Sequence, residues 1–194
     1  MNAKLLRIPA KLSGETVARS DGKLDAQQFM AWYDEYFGRV YNYACYRCGD
    51  SVTADDLVAL TFERVLLHLE DYDARRGSFG AWLFKIARNV INNHLRGEAR
   101  RAHLPLEYAG DQADQTVSPE DRLIQGETQT EMLLALAQLS ERERDLLSLK
   151  FAGRLTNRRI AEVTGISETN VGVILYRAVR RLRAVLAVEE VRNG

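Results

Sequence analysis

Proline, cysteine and strand-type patterning are all scarce in this chain. Its 194 residues include 3 prolines, 2 cysteines and 13 glycines. Apolar residues recur at three and four positions, with little of the strict alternation that is typical of β-strands. The apolar fraction of 46% argues against disorder, and this length allows one substantial core or two small ones. The sequence therefore predicts an all-α protein.

Long apolar runs and metal-ligand pairs are missing as well. The basic N-terminus has no apolar core long enough for a signal peptide, and no run approaches membrane-spanning length. Cys45 and Cys48 form a single Cys-Tyr-Arg-Cys without a second pair at ligand spacing, which argues against zinc and against a disulfide scaffold. We expect a cytoplasmic chain with no membrane insertion, metal or cofactor. A structural or incidental role of the cysteines is favoured, and redox sensing stays open.

Neither sign of charge dominates, since 27 basic residues balance 27 acidic ones. A balanced total usually argues against a nucleic-acid partner, but here the charges are segregated. The segment 50–73 is acidic, 75–101 is basic, 107–131 is acidic again, and the C-terminal part is basic. Such blocks indicate separate faces for separate partners.

A helix-turn-helix pattern lies within residues 155–183. Two amphipathic segments flank Gly165, with the small residue Ala161 before the turn and the apolar residues Val171 and Ile174 after it. A packing corner in an ordinary helical bundle is the alternative. Arginine suits contacts with phosphate and guanine, so the surrounding arginines favour DNA binding. These are Arg154, Arg158, Arg159, Arg177, Arg180, Arg181 and Arg183.

Three further helices are predicted in the first half of the chain, after a basic arm at 1–24. Capping patterns place their starts at Asp25, Thr53 and Ser78, and Gly49 ends the first. An aromatic stripe along the first helix predicts core. The exposed face of the third helix interleaves cations with amides, which suits DNA, although a solvated face is the alternative. This face comprises Lys85, Arg88, Asn89, Asn92, Asn93, His94 and Arg96.

The remaining segments complete a two-domain plan. Residues 103–118 are predicted to be a flexible acidic linker, Ser118-Pro119 to begin a helix, and Ser140 with Glu143 to form a capping box. We expect two small helical domains at 25–102 and 119–188, with a tail at 189–194.

Both halves resemble the extracytoplasmic-function (ECF) RNA polymerase sigma factors of the sigma-70 family. The run Thr53-Ala-Asp-Asp-Leu-Val is similar to the family's region 2.2, and residues 79–96 are similar to region 2.4. Residues 139–147, 160–167 and 176–183 resemble region 4. The resemblance implies regions 2 and 4 in the two domains and a non-enzymatic role. It implies binding of core RNA polymerase, recognition of promoters and assistance in melting them.

The resemblance also implies where the partners bind. The second helix would dock on the clamp helices of the polymerase's largest subunit through Asp55, Asp56, Leu57 and Phe62. Region 4 would meet the polymerase flap, and the linker would pass through the RNA exit path. An anti-sigma factor is left open as a further partner. In the second helix, Ala59-Leu60 departs from the family's usual Gln-Glu.

The promoter contacts follow from the same resemblance. The loop 72–79 and the third helix would bind an unstacked base and the strand of the −10 element. Residues implied there are Tyr72, Arg75, Arg76, Ser78, Phe79, Trp82, Lys85, Arg88, Asn89, Asn92, His94 and Arg96. Residues implied at the −35 element are Arg158, Arg159, Ser167, Glu168, Thr169, Asn170, Val173, Tyr176, Arg177, Arg180 and Arg181. Gly172, Val173 and Ile174 replace the family's polar residues, so we expect weak hydrogen-bonded −35 discrimination.

Two other classes of protein are alternatives. An autonomous helix-turn-helix regulator would use residues 25–101 as a sensing or dimerising bundle, but such a bundle would not require both an acidic and a basic face. A nuclease would need converging carboxylates or histidine ligands. Asp55 and Asp56 are adjacent and diverge on a helix, and His68, His94 and His103 lack matching ligands.

Overall fold

The structure, a computed structural model, describes residues 26–102 and 126–193. Within these ranges it contains seven α-helices and one short 3-10 turn, without strands. The all-α prediction is therefore confirmed. The N-terminal arm, the Asp25 cap, the linker and the Ser118-Pro119 helix start lie outside the described residues.

The first three helices form the N-terminal bundle. They are α1 (Ala26–Cys48), α2 (Ser51–Leu67) and α3 (Phe79–Ala102), with the 3-10 turn at Leu69–Asp71 between the last two. Gly49 ends α1 as predicted, because its φ of +87° suits glycine and its N–H donates to Cys45 O at 2.8 Å. The bundle core includes Val40, Tyr43, Val58, Val65, Leu83, Phe84 and Ile91, all at most 1% exposed.

The start of α2 differs from the prediction. Asp50 is the N-cap, and its Oδ1 accepts from Thr53 N at 2.7 Å. Thr53, the predicted start, lies inside the helix. An aspartate in extended conformation offers an acceptor earlier in the chain than Thr53 does, so the helix begins at Ser51. Ser78 does cap α3 as predicted, since its Oγ accepts from Ala81 N at 3.3 Å.

The last four helices form the C-terminal bundle. They are α4 (Gly126–Ala137), α5 (Glu141–Phe151), α6 (Asn157–Thr164) and α7 (Glu168–Asn193). The capping box of Ser140 and Glu143 is present at the start of α5. Arg144 donates to the carbonyls of Leu136 and Ala137, each at 3.0 Å, and so covers the end of α4. Helix α7 continues through Asn193, into the segment expected to be a tail.

The two bundles pack against each other. Helix α1 contacts α5, and α3 contacts α6. Buried apolar residues of both bundles belong to one continuous cluster. Gly153, in the turn between α5 and α6, lies against this interface, and its carbonyl accepts from Arg39 Nε at 3.1 Å and Nη2 at 2.6 Å. No local pattern in the sequence predicts this contact between the bundles.

Candidate polymerase and nucleic-acid interfaces

Helix α2 carries an acidic surface with an apolar centre. Asp55, Asp56 and Glu63 are exposed. Leu60 is 37% exposed and lies one turn after Asp56, on the same side of the helix. We call this surface the α2 face. It combines charges that steer an approaching partner with an apolar side chain that a partner would bury.

The structure corrects two of the expected polymerase contacts. Leu57 is 4% exposed and Phe62 is 3% exposed, so both belong to the core of the N-terminal bundle and not to its surface. Phe62 packs against the rings of Tyr33 and Phe37, with centroids 4.7 and 6.3 Å apart. Leu60, noted from the sequence only as a departure from the family, is one of the exposed apolar residues of α2, together with Val52 and Leu67.

An aromatic cluster underlies the loop between α2 and α3. Phe79 stacks on Trp32 at 3.7 Å, and the Tyr72 ring meets Phe79 and Trp82 edge-on or tilted at 5.5 and 5.4 Å. Tyr72 and Trp82 are partly exposed, but Phe79 is only 4% exposed. Phe79 therefore supports the loop from below, which corrects its expected place at the DNA surface.

The backbone brings this cluster together. Adding a Cβ to Gly80 would place it 2.9 Å from the Tyr36 ring, so glycine lets α3 approach α1 closely. Tyr72 donates its hydroxyl to Gly77 O at 3.3 Å and holds the loop. Trp32 was expected to be plain core, yet it forms one wall of the cluster.

The cations of this loop are on its outer side. Arg75 and Arg76 are exposed. Arg75 Nη2 pairs with Asp73 Oδ2 at 2.9 Å, and hydrogen bonds from Arg75 hold the pKa of Asp73 below its ordinary value. Asp73 consequently keeps its negative charge beside two cations and would compete with a DNA phosphate for Arg75.

The residues expected to bind DNA on α3 divide into two groups. Lys85, Asn89 and Arg96 are exposed. His94 lies 3.3 Å from Glu98. Arg88 and Asn92 are partly buried and face the C-terminal bundle. Arg88 donates to Asp145 of that bundle, and Asn92 accepts from Arg47 of α1. The structure thus brings five of the expected residues onto one side of α3, only part of which is open, and places His94 on the opposite side of the helix. These five are Lys85, Arg88, Asn89, Asn92 and Arg96.

The predicted helix-turn-helix is present in α6 and α7. Thr156 caps α6 by accepting from Arg159 N at 3.3 Å, and Gly165 ends it with a φ of +76°. Val171 is fully buried, and Ala161 and Ile174 are partly buried against the core. The packing positions inferred from the sequence are therefore confirmed.

The outer side of α7 holds most of the residues expected at the −35 element. Val173 is 42% exposed and Tyr176 is 64% exposed, with the Arg180 guanidinium 5.8 Å from the Tyr176 ring centre. Ser167 Oγ accepts from Asn170 N at 3.3 Å and so supports the start of the helix. The exposed polar residues here are Ser167, Glu168, Thr169, Asn170, Arg177, Arg180 and Arg181. On α6, Arg158 and Arg159 pair with Glu162 at 3.7 and 2.7 Å.

A cleft of about 390 Å³ separates the start of α5 from α7. Arg142, Arg177 and Arg181 line it together with Asn170. Arg181 also pairs with Glu143 at 2.8 Å. Arg142 was missed by sequence reasoning, because it lies inside the capping box of Ser140 and Glu143 and precedes the helix-turn-helix. Three guanidinium groups around one cleft suit a phosphate oxygen.

Other site types are not supported by the described residues. Within 26–102 and 126–193 no group of three or more His, Cys, Asp or Glu side chains is arranged to hold a metal ion. In that same part of the chain no helix is long and apolar enough to cross a membrane.

Family models and curated relatives agree on one protein family. Residues 32–101 match the model of sigma-70 region 2, and residues 129–182 match that of sigma-70 region 4. The chain is 30% identical over 185 residues to the ECF RNA polymerase sigma factor SigL of Mycobacterium tuberculosis, covering 91% of this chain and 96% of that one. It is 32% identical over 162 residues to BldN of Streptomyces coelicolor, covering 84% of this chain and 61% of that protein.

Solved structures share the fold. The sigma factor RpoE of Bartonella quintana, crystallised with the anti-sigma factor NepR, superposes with a TM-score of 0.66 at 21% identity, covering 84% of this chain and 99% of that one. CnrH in complex with the cytosolic domain of CnrY gives 0.60 at 20% identity, covering 84% and 90%. With the two family matches and the near full-length relative, the chain belongs to the ECF RNA polymerase sigma factors.

Proposed function

We propose that this sigma factor binds core RNA polymerase through the α2 face and promoter DNA through α3 and α7. The observation that carries the proposal is the order of three surfaces along one chain. An acidic face with an exposed leucine comes first, then a basic, amide-rich helix beside an aromatic loop, and then an arginine-rich helix-turn-helix. An autonomous regulator would need only the last of them.

The α2 face supplies the polymerase contact. Asp55 and Asp56 attract a basic surface and raise the rate of encounter, whereas burying Leu60 adds affinity that salt does not screen. The clamp helices of the polymerase's largest subunit are the proposed partner, and the flap would meet the C-terminal bundle. This assignment replaces the buried Leu57 and Phe62 with Leu60.

The −10 contact combines stacking with charge. Tyr72 and Trp82 offer aromatic surface to an unstacked base, and stacking of a base on an aromatic ring contributes about 1–3 kcal/mol. This compensates for part of the few kcal/mol needed to unstack a base. Lys85, Arg88, Asn89, Asn92 and Arg96 would bind the adjoining strand. Sigma factors are non-enzymatic initiation factors, and promoter melting in this scheme uses binding energy alone.

The −35 contact is made by α7 to duplex DNA. Its arginines bind phosphates, while Asn170, Val173 and Tyr176 are placed to face base edges. Since a valine can contact only the thymine methyl, hydrogen-bonded discrimination would be weak. We also place the protein in the cytoplasm, where its polymerase and DNA partners are found.

Run-off transcription with core polymerase on a promoter library tests the proposal. Adding the full chain should yield discrete transcripts from those promoters that share −10 and −35 elements. Asp56→Asn should lower the yield of transcripts and the affinity for core polymerase. Asp34→Asn, the same change at an exposed position of α1, should have no effect. Sequence-specific DNA binding without any binding to core polymerase would instead support the autonomous regulator.

A further inference from the structure

The interface between the two bundles is centred on a buried carboxylate. The Asp145 side chain, on α5 of the C-terminal bundle, is 5% exposed. Its Oδ1 accepts from Tyr43 Oη at 2.7 Å, and its Oδ2 accepts from Arg88 Nε at 2.7 Å. Arg47 Nε lies 3.5 Å from Oδ1. Among the described residues, every side-chain partner of Asp145 thus belongs to the N-terminal bundle.

These contacts occupy part of the proposed −10 surface. Arg88 is neutralised by Asp145, so it cannot simultaneously neutralise a DNA phosphate. Asn92 accepts from Arg47 Nη2 at 2.8 Å, and the same Arg47 donates from Nη1 to Glu141 O at 3.2 Å on the C-terminal bundle. Arg88, Asn92 and Arg96 line a cleft of about 320 Å³ that Glu141, Asp145 and Ile166 close from the other side.

From this geometry we propose that the packed bundles are an autoinhibited state, in which Asp145 occupies the place of a DNA phosphate on Arg88. Binding of the −10 strand and docking of the C-terminal bundle then exclude each other. The inference rests on the proposed function of α3, but it concerns how that surface is regulated within the chain itself. It requires no second protein.

The chemistry of the interface suits a reversible contact. A buried ion pair adds little net stability, because the cost of removing both charges from water offsets their attraction. When the bundles separate, Asp145, Arg47 and Arg88 all regain water. Burial and the charge of Asp145 raise the pKa of Tyr43 well above its ordinary value, so its hydroxyl remains a donor. If DNA binds only the open state, the apparent dissociation constant equals the intrinsic one divided by the open fraction.

Two substitutions on opposite sides of the interface test the proposal. Asp145→Asn removes the charge that holds Arg88, and Tyr43→Phe removes the hydroxyl without changing any charge. Asp34→Asn is the matched control, because it removes an exposed carboxylate of the N-terminal bundle away from the interface. Circular dichroism of each full-length variant checks that its helices are intact.

Two measurements on the full chain are needed. Small-angle scattering gives the radius of gyration, and fluorescence anisotropy gives the affinity for a labelled single-stranded DNA of mixed sequence. Although the intact ion pair adds little net stability, removing one partner leaves the remaining polar groups buried and unpaired, which destabilises the packed state. We therefore expect Asp145→Asn and Tyr43→Phe to increase the radius and to tighten DNA binding roughly tenfold, about 1.4 kcal/mol. Asp34→Asn should match the wild type in both.

The outcomes separate the possible failures. An unchanged radius in both variants would overturn the proposal, because the network would then not hold the bundles together. A larger radius with unchanged DNA affinity would overturn it too, because the open state would bind no better. Failure of the proposed function is distinguishable, since every form of the protein would then be inactive in run-off transcription with core polymerase whatever its radius.

Discussion

Arg47 of α1 donates from Nη2 to the side-chain oxygen of Asn92 on α3 at 2.8 Å. Its side chain is 1% exposed, which makes Arg47 one of the largest fully buried side chains in the described protein. The Nη1 atom of the same guanidinium donates to Glu141 O on α5. One residue thus orients an amide of the proposed −10 surface and also ties the two bundles together. The planar fork of arginine makes both contacts possible.

We predict that Arg47→Lys lowers the free energy of unfolding of the N-terminal bundle by about 1–3 kcal/mol. Lysine keeps the charge but cannot reach Asn92 and Glu141 O with one planar group. Urea titration followed by tryptophan fluorescence measures this effect, since both tryptophans, Trp32 and Trp82, lie in that bundle. Arg100→Lys, on the exposed end of α3, is the control. Equal losses in the two variants would contradict the role assigned to Arg47.

Leu57 and Leu60 should respond in opposite ways to truncation. Leu57→Ala removes a core side chain and should lower the free energy of unfolding by about 2–5 kcal/mol. Leu60→Ala should change stability by less than about 0.5 kcal/mol, as exposed positions do, while weakening binding to core polymerase. Thermal unfolding and a polymerase-binding titration measure the two effects. If Leu60→Ala left polymerase affinity unchanged, the α2 face would not be the binding surface.

The secondary structure and the helix-turn-helix were predictable because they depend on local patterns. Gly165, the capping box at Ser140 and the buried Val171 are all set by residues within one or two turns. The start of α2 was misplaced because Asp50 and Thr53 are both good caps, and sequence alone does not choose between neighbours. Local sequence patterns therefore predict which helices form, but they do not fix the first residue of every helix.

Tertiary contacts were the part that could not be predicted. Leu57 and Leu60 are both apolar residues of one amphipathic helix, and only the position of α1 and α3 decides which of them is buried. Asp145 lies 57 residues from Arg88 and 102 from Tyr43, so no spacing rule links them. Trp32 was correctly placed in an aromatic stripe, but its stacking on Phe79 depends on how the loop returns to α1.

Glu143 should make the stability of α5 depend on acidic pH. A hydrogen bond from Ser140 first, and the charge of Arg181 as well, hold the pKa of Glu143 below its ordinary value. Because the folded pKa is the lower one, the stabilisation is fully present above the unfolded value of about 4.3. It is lost as the pH falls through the folded pKa.

The corresponding variant is Ser140→Ala, which should lower the free energy of unfolding by about 1 kcal/mol at neutral pH. The free energy of unfolding of this variant should also decline less between about pH 5 and pH 3, because the folded and unfolded pKa values of Glu143 become more similar. Denaturant titrations of both proteins across this range provide the measurement. Parallel pH profiles would contradict the assignment of Glu143. Glu162→Gln, in an exposed ion pair on α6, is the control.

The two cysteines should react slowly with alkylating reagents. Burial raises the pKa of Cys48 to about 12 and also raises the pKa of Cys45. Since the thiolate is the reactive form, alkylation of both cysteines by iodoacetamide at pH 8 should be much slower than for an ordinary thiol. Mass spectrometry follows the reaction, and the chain in denaturant is the reference. Rapid modification of the folded protein would instead support a redox-sensing role of Cys45 and Cys48.

Arg142 should bind DNA through phosphate only, because it lies beside the helix-turn-helix and not on its outer side. Arg142→Ala should weaken binding of duplex DNA about equally for all sequences and reduce the slope of log K against log salt by about 1.

Val173→Ala should leave this slope unchanged and relax any preference for thymine at one position, since a valine can contact only a methyl group there. Anisotropy titrations of the full chain with a set of duplexes at several salt concentrations distinguish the two. A change in sequence preference on Arg142→Ala, or in the salt slope on Val173→Ala, would contradict the phosphate contact assigned to Arg142 and the base contact assigned to Val173. Loss of preference on Asn170→Ala instead would mean that α7 reads its site by hydrogen bonds.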